Sequence, residues 1–312
     1  GYWPGEASTP FITSYVLWGL SNADQMKFTV PQQVLKDAAN YLNGQFQAPK
    51  DTKDNWRLNE MAFTLFVLSE MQQDDPGRAS TLYDARERLS LYGQAYLAMT
   101  LANIAQHNNK QDDRVNTLLD TLFGSAQISA TGASWHEKSV DWWNLNTDTR
   151  TTSIILAAFT RLEPKQPLLA NVVRWLMSAR KAGRWETTQE NAWAIIALTD
   201  WMQATGELKG NYDWSVTLND KELGSGKVGP ENIADPVQLH AAVADLLRDQ
   251  ANALRFTRSD ASGQLYYTTS LRYYLDALAI DARDRGIVVD RRFVMNNQPV
   301  DSAKVGDIIS VT

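Results

Sequence analysis

TTSIILAAF, from Thr151 to Phe159, is apolar on almost every side and mixes small residues with large ones. A helix built from such a run has no polar face to turn toward water, so it must be packed on several sides. The same composition returns in TSYVLWGL (Thr13 to Leu20), MAFTLFVLSEM (Met61 to Met71), GQAYLAMTLANI (Gly93 to Ile104) and ENAWAIIAL (Glu190 to Leu198). Aligned on Ser14, Ala62, Ala95, Ser153 and Ala192, the copies stand 48, 33, 58 and 39 residues apart. Spacing of that size marks one supersecondary unit used repeatedly. Small side chains let such helices approach closely, which predicts the inner staves of a ring with Ala62, Ala95, Ala157 and Ala194 buried.

Between the copies lie segments with one apolar stripe and one polar face: residues 30–42, 80–92, 114–124 and 167–180. In the last, Leu168, Leu169, Val172, Val173 and Leu176 recur at helical spacing. Pro31 and Pro167 suit a first helical turn, and Thr187 or Thr188 suits the cap of the helix carrying Trp193. Gly44, Gly124 and Gly183 fall where chains leave helices. Alternating inner and outer helices predict stacked helical hairpins, and the uneven period favours an α/α toroid over a regular solenoid.

The helical pattern stops after Met202. WSVTLN (Trp214 to Asn219) alternates as a half-buried strand does, and NALRFTRS (252–259) with QLYYTTSLRYYL (264–275) reads as a hairpin around Asp260–Gly263. HAAVADLLRDQ (240–250) reads as a short helix. The last stretch, from Gly286, carries a strand, an Asn-Asn-Gln-Pro turn and a closing strand. The fold class expected is therefore multi-domain α plus β, helical to about residue 209 and β beyond it.

With 312 residues and 44% hydrophobic content, the chain is long enough for two or three domains with real cores. Its 36 acidic and 30 basic residues leave no basic stripe for nucleic acid. No apolar run approaches a membrane span, and no signal peptide opens the chain. The opening GYWPGEASTPF reads as a loop already feeding a helix, and the closing VGDIISVT breaks off within a strand pattern, so the chain reads as a fragment. It contains no Cys, hence no disulfide, thiol nucleophile or Cys-based zinc site.

Motifs for chemistry are sparse. His107, His136 and His240 lie far apart, and His136-Glu137 lacks the second His of a zinc helix, so surface or locally bonded histidines are expected. No G-x-S-x-G elbow, P-loop, dinucleotide fingerprint or Asp-rich prenyl-diphosphate motif occurs. Asp74-Asp75 and Asp112-Asp113 read as solvated helix ends rather than catalytic pairs. Trp3, Trp135, Trp142, Trp143 and Trp185 lie in loops; wedges between hairpins are expected, with sugar stacking as the other reading. An α/α-toroid enzyme acting on glycans or prenyl chains is the alternative the residues leave open.

STPFITSYVLWGL (Ser8 to Leu20), NEMAFTLFVLSEM (Asn59 to Met71) and above all RWETTQENAWAIIAL (Arg184 to Leu198) resemble bacterial α2-macroglobulins, relatives of the complement thioester proteins. GQLYYTTSLRYYL and GIVVDRRFVMNNQPVDSAKVGDIISV are similar to the strands that follow in those proteins. The resemblance implies most of an α/α-toroid thioester domain over 1–209, a CUB-like β segment over 210–283 and the start of a macroglobulin-like domain over 284–312. It implies a non-enzymatic endopeptidase inhibitor that traps target endopeptidases after bait cleavage, with no cofactor. It further implies a periplasmic location, with a lipid anchor to the inner membrane outside these residues. The thioester of that family joins Cys and Gln in a Cys-x-Glu-Gln motif, which this chain lacks. Where some complement relatives place a His that assists transfer to hydroxyls, KDTKDNWRL (50–58) has none; Asn55 falls nearest, as a candidate thioester-facing residue, and amines are then the expected acceptors.

Overall fold

A computed structural model describes residues 3, 5–233, 235–261, 263–274 and 290–312. Its helices are α1 (Pro10–Gln25), α2 (Gln32–Gly44), α3 (Asn55–Glu70), α4 (Pro76–Asp84), α5 (Leu91–His107), α6 (Asp113–Gly124), α7 (Asp148–Leu162), α8 (Leu169–Ser178) and α9 (Thr188–Thr205). The five repeated segments lie in α1, α3, α5, α7 and α9, which pack in that order, each on the next. α2 packs on α1, α4 and α6 on α5, and α8 on α7.

The small residues behave as their composition requires. Ala62, Ala95 and Ala194 are 0% exposed and Ala157 3%. In α7 every residue from Arg150 to Thr160 is buried, and in α5 every residue from Tyr92 to Leu101. In α3, between Leu58 and Ser69, Glu60 alone is not fully buried. Tyr15 and Trp18 of α1, Phe63 of α3, Tyr96 of α5 and Trp193 of α9 form one aromatic cluster. Through Trp18 and Trp193 the first and last helices of the inner row meet.

Loop tryptophans divide into two groups. The indole N–H of Trp135 donates to the Leu122 carbonyl at the end of α6, and that of Trp185 to the Leu176 carbonyl at the end of α8. Each is a buried wedge before an inner helix, meeting a carbonyl in the last turn of the preceding outer helix. Trp3, Trp142 and Trp143 are instead exposed, so the expected wedge does not hold for them.

Other expectations also need correction. Residues 80–92 are not one helix: α4 ends at Asp84, a 3-10 turn spans Arg86–Arg88, and Leu91 already begins α5. Arg88 accounts for the break, since its guanidinium reaches back to the carbonyls of Pro49, Thr52 and Lys53. Pro31 and Pro167 precede their helices rather than occupying the first turn, whereas Pro10 and Pro76 do occupy it. Thr187 is the cap of α9, forming a reciprocal capping box with Glu190.

The strands are β1 (Gln127–Ser129), β2 (Gly132–Ser134), β3 (Tyr212–Leu218), β4 (Lys221–Val228), β5 (Leu254–Arg258), β6 (Phe293–Met295), β7 (Gln298–Pro299) and β8 (Ser310–Val311). β1 and β2 form a small hairpin between α6 and α7. Its Gly132 lies so close to α8 that a Cβ would come within 2.6 Å of the Asn171 carbonyl, leaving room for glycine alone. β5 pairs with β3, not with the residues after the 260–263 turn, and 264–274 carry no strand. Leu275 and the residues to Val289 lie outside the described residues. Residues 240–250 contain only a 3-10 turn at Val243–Asp245. Both remaining hairpin turns use paired left-handed residues: Asn219-Asp220 between β3 and β4, and the expected Asn296-Asn297 between β6 and β7.

The chain divides into two compact units, residues 1–239 with 253–265, and residues 240–252 with 266–312. Among the described residues, the first contains the nine α-helices and the β4-β3-β5 sheet, and the second the β7-β6-β8 sheet. Among the described residues no helix is long and apolar enough to cross a membrane.

Candidate functional site

The first turns of all five inner helices gather at one end, joined by carboxylates. Glu60 of α3 lies beside the first turn of α1, lining one groove with Phe11. Glu137 accepts the Leu91 and Tyr92 N–H groups of α5 and the Thr151 hydroxyl of α7. Glu190 of α9 accepts the hydroxyl of Thr147, the cap of α7. Helix N-termini offer unsatisfied N–H groups and positive potential, which is why acids collect here. Burial nonetheless raises the carboxyls of Glu60 and Glu137 above the usual range, only partly opposed by Arg57 for the first and by the N–H bonds for the second.

Within this end lies a buried polar network. Asn59 donates to Ser90, the residue before α5, and to Asp141. It fits because residue 93 is glycine: a Cβ there would stand 2.5 Å from the Asn59 Oδ1. Asp141 also accepts from the Tyr92 hydroxyl at 2.5 Å and from Asn144. Over the Tyr92 ring lies Arg150, its guanidinium carbon 5.0 Å from the centroid. Arg150 is 1% exposed and donates to Asn146, Tyr15 and Tyr96, while its Nε has no hydrogen-bond partner among the described residues. Desolvation pushes the Tyr92 and Tyr96 phenols well above their ordinary value, so both remain protonated.

A groove of about 500 Å³ opens beside this network, between the start of α1, the end of α2 and the first turns of α3. Phe11, Phe46 and Met61 supply apolar wall, Glu60 a carboxylate, and Trp143 an indole stacked 5.2 Å from Trp56. Asn55 is the exposed first residue of α3, and its Oδ1 accepts from Arg88. It does not line that groove.

His107 pairs with Asp74 and His136 with Asp148, while His240 is exposed. Asp75 and Asp112 cap α4 and α6, as the helix-end reading required. No cluster of metal-ligating residues occurs among the described residues. Ser134, His136 and Asp148 do have the connectivity of a hydrolase triad, at 3.1 Å and 2.8 Å. Ser134 is only 3% exposed, however, and it lines neither of the two cavities described near α3. A nucleophile must be reachable by a reacting carbon, and a hydroxyl this deeply buried is not.

No family model matches the chain. A curated relative, the alpha-2-macroglobulin homolog of a Nostoc species, is 24% identical over 285 residues, which cover 87% of this chain and 14% of the relative. Among solved structures, alpha-2-macroglobulin of Escherichia coli activated by porcine elastase matches 98% of the chain with a TM-score of 0.54 and 15% identity. Salmonella alpha-2-macroglobulin reacted with methylamine matches the same share with a TM-score of 0.53 and 16% identity. The chain covers 26% of the first structure and 19% of the second. The mixed helical and β fold is thus that of a segment of bacterial alpha-2-macroglobulins, and the resemblance read from the sequence stands.

Proposed function

We propose that the chain is a segment of a protease-trapping alpha-2-macroglobulin, serving as scaffold for chemistry contributed by other parts of the protein. The observation that carries this reading is the fold match over 98% of the chain to proteins of that class, one of them activated by a protease. Residues 1–209 then form most of an α/α toroid, 210–283 a CUB-like segment and 284–312 the start of a macroglobulin-like domain. The meeting of Trp18 with Trp193 supports the toroid, because it brings the two ends of the inner row together. With no Cys in these 312 residues, the thioester sulfur of such a protein must come from elsewhere. Target endopeptidases are the partners and the periplasm the compartment. With no His at 50–58, protein amines rather than hydroxyls are the acyl acceptors.

The test is protease capture by the whole polypeptide that carries this chain. Incubated with elastase, it should give a covalent adduct stable to denaturant, and the isolated 312 residues should give none. Capture by the isolated chain, or no capture by the whole protein, overturns the reading.

A further inference from the structure

Trp143 is not a wedge between hairpins. It is 71% exposed, stacked on Trp56, and it forms part of the wall of the groove beside α3. The loop that carries it is pinned from within. Asn144 is buried and donates to the Trp56 carbonyl and to Asp141, itself buried and bonded to Asn59 and Tyr92. Buried polar anchors therefore hold a large indole at the rim of a cavity of about 500 Å³, a volume in the range of small-ligand sites.

The rest of the wall narrows the ligand. Arg57 and Glu60 put opposite charges there, so neither a cation nor an anion is selected. The Arg57 guanidinium lies 4.7 Å from the Trp56 centroid and 3.9 Å from the exposed Asp54. Glu60 calls for a donor and Arg57 for an acceptor, while the amides of Gln45 and Gln47 offer both. A matching ligand is uncharged, donates and accepts at several points, and has a flat face of C–H bonds for the indole. A pyranose ring has hydroxyls around its edge and slightly positive C–H hydrogens on its faces, which suit the negative face of an aromatic ring. A proline-rich peptide also stacks on indoles, but proline has no N–H to offer Glu60.

We propose that this groove binds a neutral, β-linked oligosaccharide of gluco configuration, with one pyranose face on Trp143 and hydroxyls bonded to Glu60, Arg57 and the Gln47 amide. Equatorial hydroxyls leave both faces of such a ring as C–H, which is what the indole requires. The binding is reversible and involves no covalent step. It goes beyond the scaffold reading and does not depend on it.

Titration of the 312-residue chain with cellotriose and with N,N′,N″-triacetylchitotriose tests it, followed by calorimetry and indole fluorescence. Saturable binding of either saccharide is expected. Trp143→Ala should weaken it about fivefold, the worth of a ring contact, and Gln47→Ala about threefold, the worth of a neutral hydrogen bond. Both side chains are exposed, so the far-ultraviolet spectrum should not change. Trp142→Ala removes an exposed indole that does not line the groove, and it should bind as the native chain does. Absence of saturable binding, undiminished affinity in Trp143→Ala, an equal loss in Trp142→Ala, or tighter binding of a proline decapeptide than of either saccharide overturns the proposal.

Discussion

Trp18 and Trp193 lie stacked, with ring centroids 4.7 Å apart and planes 13° from parallel, although they stand 175 positions apart in the chain. Trp193 also donates its indole N–H to the Tyr15 hydroxyl, which accepts in turn from Arg150. One ring therefore fastens α1, α9 and the buried cation of α7 together.

Replacing Trp193 by Ala should lower stability by about 3–5 kcal/mol, the usual cost of emptying a buried tryptophan site. Trp18→Ala should cost less, because Trp18 is only partly buried. Urea unfolding followed by circular dichroism checks both; equal midpoints for Trp193→Ala and the native chain would detach this stack from the fold.

Close packing of the inner row makes a second expectation. Ala157 is 3% exposed in a helix buried on every side, so Ala157→Leu should overpack it by about 1–3 kcal/mol. The same change at Ala192, an exposed position of α9, should be close to neutral. A thermal midpoint for Ala157→Leu no lower than that of Ala192→Leu would contradict the inner-row packing.

Glu137 gives a pH dependence with a definite sign. Burial is the main cause of its raised carboxyl, so the folded chain holds the proton to higher pH than the unfolded chain does. Its contribution is full below the ordinary glutamate value and is lost as pH rises through the raised one. The stability difference between the native chain and Glu137→Gln should therefore fall as pH rises from about 4 toward neutrality. Urea midpoints at several pH values measure it; a difference that grows over that interval would show the sign to be wrong.

The sequence makes the inner helices legible because their small and large apolar residues lie within one run, and α7 matches its reading almost residue for residue. The break between α4 and α5 is invisible there, since it depends on Arg88 reaching carbonyls 35 to 39 residues away. The polar network is hidden for the same reason: Asn59 meets Asp141 across 82 positions and Arg150 meets Tyr15 across 135. One signal was available: Glu60 interrupts an apolar run in α3. The tyrosine-rich alternation after Gly263 has a strand's pattern, but alternation alone does not choose a partner, and β5 pairs with β3 rather than with these residues.

Hydrogen exchange should follow burial. Amides of α3, α5 and α7 should exchange slowest, and those of β4 and residues 290–312, which are mostly exposed, fastest. The same order should govern limited proteolysis, with cuts after about residue 210 preceding any in the helices. Faster exchange in α5 than in β4 would contradict this order.

The central claim is that these residues are part of a thioester-bearing protease trap, and free-thiol titration of the whole polypeptide tests it most directly. No thiol can come from this chain, so any that appears belongs to the rest of the protein. Treatment with methylamine should release one new thiol per molecule and abolish later capture of elastase. An unchanged thiol count, with elastase handled as before, would contradict the account.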